Sequence, residues 1–210
     1  MIGGRAPATA AEIREIVLIQ GHPDRERSHF GHALAEAYAA GARDVHHVVR
    51  TIEVAALSFP FLQSRRDLER SAAPPAIREA QRLIAGADHI VMFYPVWNGA
   101  MPALLKAFLE QVFRPAFTFL RFNPDQPLGF WSSLREPKRL TGKTARIVAT
   151  MQMPAWVYRW WFHPRPDKTP LRLAGIRPIR ESLIGLVETP NRAVRDRWIR
   201  TMRELGAQGR

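Results

Sequence analysis

The stretch that most constrains the fold of this chain runs from residue 89 to residue 102. It begins with apolar residues that do not alternate with polar ones, as in a strand that is buried on both faces of a parallel sheet. A break follows that contains Asn98, Gly99 and two prolines. Residues 103–113 predict a helix, and Pro102 fits its first position, where the missing N–H is not needed. The stretch therefore predicts a strand, a tight loop with aromatic side chains and a helix.

The same alternation of strand and helix extends along the chain. Apolar or β-branched runs predict further strands at 15–20, 43–54, 144–150 and 179–187, and helices are predicted at 29–41, 76–85 and 191–205. Ser28 is the predicted N-cap of the first helix, and Gly41 is its predicted end. Residues 117–119 predict a short extended piece, and residues 151–169 predict an aromatic loop.

Strands that alternate with helices favour a parallel sheet with helices on both faces. Five strands at this length fit the flavodoxin-like order 2-1-3-4-5 better than a six-stranded dinucleotide-binding fold. The Gly-x-Gly-x-x-Gly signature of that second fold is missing after the first strand, where residues 21–26 are Gly-His-Pro-Asp-Arg-Glu. The predicted organisation is a flexible N-terminal arm over residues 1–12 and a single flavodoxin-like α/β domain over residues 13–210.

The charge of the chain is uneven. Lys and Arg total 31 against 19 Asp and Glu, and residues 121–210 hold 18 of the basic and 7 of the acidic residues, a net charge of +11. Such a surface attracts phosphates, nucleic acid or anionic membranes. The excess is scattered Arg rather than a Lys/Arg block, so a solvated basic face explains it equally well, and nucleic acid is not the expected partner.

The absence of cysteine excludes several kinds of chemistry. Zero Cys rules out disulfides, thiolate catalysis and Cys-based metal or iron–sulfur sites. The first ten residues lack the apolar segment of a secretory signal, and no apolar run approaches the ~18–20 residues that span a bilayer. We therefore expect a cytoplasmic protein.

The loop after the first strand predicts a phosphate site. It leads into a helix N-terminus, where backbone N–H groups and the helix dipole favour an anion. Ser28 adds a hydroxyl donor, and His22 and Arg27 add charge-assisted hydrogen bonds. The alternative interpretation is an ordinary capped loop that binds nothing.

Two further loops follow the third and fourth strands. Trp97 offers an aromatic wall to a flat ring such as an isoalloxazine or a quinone, and Asn98 and Gly99 allow the backbone to approach it closely. Thr150 and Gln152 lie at the same end of the predicted sheet and can hydrogen-bond such a ring. The alternative is that these side chains only pack. No metal site is predicted, because His22, His29 and His32 lack evident acidic partners.

Two groups of residues resemble one known family. The first signature of the flavodoxin-like NAD(P)H:quinone oxidoreductases resembles Gly21-His22-Pro23 with Ser28-His29-Phe30. A second, more specific signature of the same family resembles four segments: Tyr94-Pro95-Val96-Trp97, Met101-Pro102-Ala103-Leu104-Leu105-Lys106, Val112-Phe113 and Phe117-Thr118-Phe119. The match runs through most of residues 15–190. Many members have Thr-Gly-Gly where this chain has Thr150-Met151-Gln152-Met153, and Asn98 replaces a frequent bulky residue.

The resemblance implies a non-covalent flavin, FMN or FAD, and NADPH or NADH as the electron donor. It implies that the phosphate lies against His22, Ser28 and Phe30, and that the ring lies against Pro95, Val96, Trp97 and Asn98. It also implies that Thr150, Met151 and Gln152 line the ring edge, that Tyr158 and His163 are catalytic, and that the protein is a homodimer.

These residues predict a two-electron reductase in which hydride passes from NAD(P)H through the flavin to a quinone or similar small-molecule acceptor. Two alternatives stay open. One is a flavoprotein regulatory subunit that contacts a membrane transporter or the membrane surface. The other is a non-enzymatic basic binding module.

Overall fold

The computed structural model describes residues 12–126, 129–161, 168–188 and 192–210. Nearly all of the predicted N-terminal arm therefore lies outside the described residues. The strands are β1 Glu15–Gln20, β2 Val48–Glu53, β3 His89–Pro95, β4 Thr144–Thr150 and β5 Ile179–Ile184. The helices are α1 Phe30–Asp44, α2 Arg65–Glu69, α3 Pro75–Gly86, α4 Ala103–Val112, α5 Pro115–Thr118, α6 Phe130–Arg135, α7 Ala155–Trp161, α8 Thr169–Leu173 and α9 Arg192–Ala207, with a 3-10 turn at Val54–Ala56.

The five strands form one parallel sheet in the order β2-β1-β3-β4-β5. This confirms the predicted fold class and strand order. Strand β3 is central and is buried along its length up to Tyr94, which explains its unbroken apolar sequence. The edge strand β2 is exposed at three of its six positions, as expected for a strand with one neighbour.

Apolar side chains form a core on each face of the sheet. On one face, α3 and α4 pack on β1, β3 and β4, with Ile77, Ile84 and Phe108 fully buried. On the other face, α1 and α9 cover residues such as Leu18 and Val91. Each face buries a separate apolar layer, so the sheet has helices on both sides, as predicted.

Helices α1 and α9 touch backbone to backbone. A Cβ atom built on Gly206 would lie 2.0 Å from the Tyr38 carbonyl oxygen, and one on Gly41 would lie 1.9 Å from that of Arg203. Only glycine fits at these two positions. The prediction that Gly41 ends the first helix is therefore wrong, because this residue is the contact point with α9 and the helix continues to Asp44.

Other local predictions also need correction. Ser28 is not the N-cap of α1: His29 occupies that position, and its side chain makes no capping hydrogen bond. Of the predicted extended piece at 117–119, Phe117 and Thr118 belong to helix α5, and only Phe119 is extended, in a β-bridge with Lys138. The predicted aromatic loop at 151–169 contains α7, and α8 begins at its last residue. Strand β2 begins at Val48 because a turn with His46 at φ 68° follows α1. No helix among the described residues is long and apolar enough to cross a bilayer.

Candidate functional site

Three predicted loops meet at the carboxyl end of the sheet. The Gly21 N–H donates to the Phe93 carbonyl at 2.7 Å, which ties the loop after β1 to β3. The Val96 N–H donates to the Thr150 carbonyl at 2.7 Å, which ties the loop after β3 to β4. A Cβ atom on Gly21 would lie 2.6 Å from the Leu105 side chain, so α4 approaches the first loop closely. The parallel sheet thus brings together the loops that the sequence separates by more than a hundred residues.

Trp97 stands on a tight two-residue turn. The Trp97 N–H donates to the Ala100 carbonyl at 2.9 Å, and the Ala100 N–H returns a hydrogen bond at 3.0 Å. Asn98 and Gly99 both have positive φ, at 49° and 78°, which is the type I′ geometry that Asn-Gly favours. The Trp97 side chain remains 50% exposed. The hairpin therefore presents one aromatic face to the mouth of the site.

Three histidines cluster where the first loop enters α1: His22 in the loop, His29 at the N-cap and His32 in the first turn of the helix. The rings of His22 and His29 stack with centroids 4.1 Å apart, and His22 meets Trp97 edge-on at 6.2 Å. The Asp24 N–H donates to His22 Nδ1 at 3.1 Å. Burial lowers the pKa of His22 below its usual value, as it does for its neighbour His32. His22 is therefore a neutral, fixed group between Trp97 and the start of α1.

The N-terminus of α1 is open on its outer side. No side chain caps it, and its first turn contains no acidic residue. A Cβ atom on Gly31 would meet nothing within 4 Å. Unbonded N–H groups at a helix N-terminus are a ready anion site. This position therefore fits the phosphate site that the sequence predicts.

The predicted phosphate ligands of the first loop are engaged with carboxylates. Arg27 forms ion pairs with Glu36 and Glu53, both at 3.0 Å. The Ser28 hydroxyl donates to Glu26 at 2.8 Å. Both side chains would have to exchange these partners to bind a phosphate, so their roles stay predictions. Phe30 lies under the Arg195 guanidinium at 4.8 Å, which places a cation beside the same helix end.

The first loop also brings acidic groups beside a histidine. His29 Nε2 lies 2.9 Å from Asp24 Oδ2, and ligand atoms of Asp24, Glu26 and His29 lie within 4.8 Å of one another. Sequence reasoning considered only the histidines here and missed Asp24 and Glu26. Their spacing within five residues of His29 was the available signal. The groups are largely exposed and pair with one another, which is usual for a solvated loop.

The loop after β4 contributes partly buried polar groups. Thr150 and Met151 are buried, and the Gln152 amide donates to Glu188. Tyr158 is only 3% exposed and packs in the core rather than facing the mouth of the site. Its catalytic role stays a prediction, and His163 lies outside the described residues. The structure therefore brings Thr150 and Gln152 to the site and directs Tyr158 inwards.

Helix α7 carries an aromatic surface that sequence reasoning treated as part of a loop. Trp156, Trp160 and Trp161 are 70%, 83% and 82% exposed. Trp156 and Trp160 are four residues apart and share one side of the helix, opposite the buried Tyr158. Its first residue, Ala155, packs against Gly185 just after β5. The helix therefore begins at the carboxyl end of the sheet, beside the three loops.

Comparisons of sequence place this chain among known proteins. The model of the Flavodoxin_2 family, described as a flavodoxin-like fold, matches residues 14–205. The FMN-dependent NADH:quinone oxidoreductase of Ruegeria pomeroyi is 27% identical over 109 residues, which cover 49% of this chain and 52% of the relative. An uncharacterized NAD(P)H oxidoreductase of Haemophilus influenzae is 27% identical over 110 residues, with 51% and 54% covered. The alignment thus spans about half the length of these relatives.

Comparisons of structure extend over nearly the whole chain. The NAD(P)H:quinone oxidoreductase from Methanothermobacter marburgensis superposes with a TM-score of 0.75 at 16% identity, covering 93% of this chain and 98% of that one. The FMN-dependent NADH-azoreductase from Bacillus anthracis, in complex with FMN, gives a TM-score of 0.66 at 13% identity, with 91% and 96% covered. At these sequence identities, the structural similarity shows a shared fold and nothing more.

Proposed function

Because the chain belongs to the Flavodoxin_2 family of flavodoxin-like folds, we propose that it is an FMN-dependent NAD(P)H:quinone oxidoreductase. The family resemblance predicted from sequence is confirmed at the level of the family. The names of the relatives support the activity, since one is an FMN-dependent NADH:quinone oxidoreductase and a structural neighbour is an NAD(P)H:quinone oxidoreductase. The cofactor, donor and acceptor are part of the proposal.

One observation carries the proposal: a continuous surface joins the open N-terminus of α1 to the half-exposed Trp97. His22 links the two ends, because it stacks on His29 at the helix N-cap and contacts the Trp97 ring edge-on. FMN has a phosphate at one end and a flat ring at the other. The helix N-terminus suits the phosphate, and the indole face suits the ring. The residues present therefore fit this cofactor.

The acidic residues of the first loop favour FMN over FAD. Asp24 and Glu26 lie beside the N-terminus of α1. One phosphate can use the N–H groups there, whereas the second phosphate of FAD would add a negative charge close to these carboxylates. The relative from Ruegeria pomeroyi is likewise named for FMN and NADH. NADPH remains an alternative donor, since the carboxyl-terminal half of the chain is basic.

Bound FMN supplies the ring that accepts and releases hydride. The chain's own residues position it and set its surroundings. Trp97 would hold one face of the ring by stacking, and Thr150 and Gln152 would donate hydrogen bonds to its polar edge. His22 is neutral because burial lowers its pKa, so it would fix the linking chain without attracting a counter-ion. Trp97 is half-exposed, so a quinone would approach the ring from the solvent side of the loops.

Flavin binding and reduction test the proposal directly. Titration of FMN and of FAD with the purified protein, followed by fluorescence quenching, is expected to show tighter binding of FMN. Anaerobic NADH or NADPH should then bleach the bound flavin, and a quinone should restore its colour. Bound flavin that neither donor bleaches would favour the regulatory flavoprotein at a membrane transporter. No flavin binding would leave the basic binding module.

Substitution of Trp97 tests the location of the ring. Loss of the indole in Trp97→Ala should weaken FMN binding by about tenfold, because aromatic stacking contributes about 1–1.5 kcal/mol. Trp97→Phe should restore most of the affinity, and Trp131→Ala, which removes an exposed tryptophan of α6, should leave it unchanged. Equal dissociation constants for Trp97→Ala and the unaltered protein would place the ring elsewhere.

A further inference from the structure

Arg146 is a buried cation in the middle of strand β4. Its side chain is 7% exposed and lies on the sheet face that α1 and α9 cover, as the alternation with Val148 requires. Its Nη1 donates to the Ser182 hydroxyl at 2.9 Å, and its Nε has no hydrogen-bond partner. No carboxylate among the described residues pairs with it. A buried guanidinium without a negative partner is expensive, so this position calls for an explanation.

Further cations surround Arg146 near the amino end of the sheet. Arg180 is its partner in register on β5, and Arg210 acts on it from the end of α9. Arg14 precedes β1, and its Nη1 donates to the Gly209 carbonyl at 2.9 Å. We call Arg14, Arg146, Arg180 and Arg210 the arginine cluster. Burial and the neighbouring cations Arg180 and Arg210 lower the pKa of Arg146, and Tyr38 opposes them.

Two neutral side chains beside the arginine cluster also lack partners. The Tyr38 hydroxyl on α1 and His89 Nε2 on β3 are both buried without a hydrogen bond. Both groups lie on the sheet face of Arg146, because Tyr38 packs against Phe93 and His89 is two residues before Val91, the register partner of Arg146. Burial first, and then the nearby arginines, lower the pKa of His89 to about 3, so the ring is neutral.

The unpartnered atoms around the arginine cluster can all donate. The Tyr38 hydroxyl and Arg146 Nε carry hydrogens, and His89 Nδ1 lies 2.7 Å from the Thr144 hydroxyl. When Thr144 donates to Nδ1, the remaining ring proton is on Nε2. Leaving such buried groups unsatisfied destabilises the folded protein. An anion with several acceptor oxygens would satisfy all three donors and the charge of Arg146.

We propose that the arginine cluster, with Tyr38 and His89, binds an oxyanion of the phosphate class at the amino end of the sheet. A guanidinium recognises the oxygens of a phosphate group through paired hydrogen bonds, and neutral donors complete the contacts. The flavin site lies at the opposite, carboxyl end of the strands, so this is a separate site. The phosphate group can be free or carried by a small metabolite.

Ligand-dependent stability tests this site. The melting temperature is measured in sodium phosphate and in sodium chloride at equal ionic strength, with excess FMN present so that the flavin phosphate site is filled. Phosphate at about 100 times its dissociation constant should raise the melting temperature by roughly 5–10 °C over chloride. The same series with AMP distinguishes the sources: a lower midpoint concentration for AMP indicates a phosphorylated metabolite, and a similar one indicates free phosphate.

Three variants make the test specific. Arg146→Met should abolish the difference between phosphate and chloride, whereas Arg200→Met, an exposed arginine on α9, should retain it. Tyr38→Phe keeps the ring against Phe93 and should weaken phosphate binding by about threefold to tenfold. Tyr38→Phe also serves if Arg146→Met does not fold. An unaltered protein that phosphate does not stabilise over chloride, or a full phosphate response in Tyr38→Phe, would overturn the proposal.

Discussion

The two ends of the sheet differ in how their charges are balanced. At the carboxyl end, the cations and polar side chains have nearby partners: Arg27 pairs with Glu36 and Glu53, Ser28 with Glu26, and His29 with Asp24. At the amino end, the arginine cluster has no carboxylate partner at Arg146, and Tyr38 and His89 keep unpartnered atoms. One end has an aromatic surface and an open helix N-terminus, and the other has a buried arginine that no carboxylate of the described residues pairs with.

This difference indicates two kinds of ligand. A flavin offers a large flat ring and one phosphate, so it needs an exposed indole such as Trp97 and a few N–H groups. A compact oxyanion offers charge and several acceptors, so it needs buried donors and cations. Helix α1 begins at the carboxyl end of the sheet and runs towards the amino end, and its later turns contact α9 closely at Gly41 and Gly206. Changes to this helix pair should therefore affect the two ends unequally.

The largest expected effect comes from the contact between α1 and α9. In Gly206→Ala the new Cβ atom would lie 2.0 Å from the Tyr38 carbonyl oxygen, so the helices must separate. The free energy of unfolding should fall by about 2–4 kcal/mol and the melting temperature by roughly 5–15 °C. FMN affinity should change less than about threefold, because the carboxyl-end loops are untouched.

The control for this change is Gly86→Ala on α3, where a Cβ atom would meet nothing within 4 Å. Thermal unfolding of that variant should match the unaltered protein. If Gly206→Ala weakened FMN binding as strongly as Trp97→Ala, the two ends would be coupled through α1 rather than independent.

The second-largest expected effect is a pH dependence of the free energy of unfolding, which comes from His89 at the amino end of the sheet. The pKa of His89 is about 3 in the folded protein, and an unfolded histidine has a pKa of about 6.5. Between these values the unfolded chain binds more protons, so the stability is complete above about pH 6.5 and falls as the pH falls. From pH 6.5 to pH 4.5 this amounts to about 2–3 kcal/mol.

His89→Gln should remove this part of the pH dependence, as urea unfolding in phosphate-free buffer at the two pH values would show. His22→Gln is the matched change at the carboxyl end. Burial lowers the pKa of His22 as well, but its backbone contact with Asp24 opposes the shift, so its share should be smaller. If the pH dependence of the free energy of unfolding disappeared in His22→Gln and persisted in His89→Gln, it would belong to His22 rather than to His89.

Much of the fold follows from the sequence because its boundaries are marked. Strands β1 and β4 have the predicted bounds, since Gly21 ends one and a glycine-containing turn precedes the other. Helix α7 was missed because its exposed side carries Trp156 and Trp160, so hydrophobic residues surround the helix and hide its period. The end of α1 was wrongly predicted at Gly41, because the sequence alone does not distinguish a glycine that contacts a facing helix from one that ends its own helix.

The candidate flavin site was predictable in position but not in its contacts. Loops after parallel strands share one end of the sheet, so the sequence predicts that the loops with Ser28, Trp97 and Thr150 meet, and backbone hydrogen bonds of Gly21 and Val96 join these loops. The carboxylates that pair with Arg27 come from α1 and β2, and the one that binds Ser28 is Glu26 of the same loop; neither pairing was evident from the sequence. The homodimer, the cytoplasmic location and the choice of NADH or NADPH stay predictions, because they depend on partners and ligands beyond one chain.

The arginine cluster was missed although one signal was present. Arg146 interrupts Thr-Ala-Arg-Ile-Val-Ala-Thr, a run otherwise typical of a buried strand. A charge at a buried strand position indicates either a strand end or a binding site. The register with Arg180 and the closeness of Tyr38 are tertiary facts that no pattern within β4 reveals.

The smallest expected effect is a change in FMN affinity, and it concerns the carboxyl end of the sheet alone. Gly99 has φ 78° in the type I′ turn, so Gly99→Ala forces a side chain into the left-handed region at a cost of about 1 kcal/mol. Trp97 should then be held less firmly, and the dissociation constant for FMN should rise about twofold to fivefold. Gly129→Ala, at φ −65°, is the control and should leave FMN affinity unchanged. Phosphate stabilisation through the arginine cluster should be the same in both variants, and a loss of it in Gly99→Ala would show that the two ends are not separate sites.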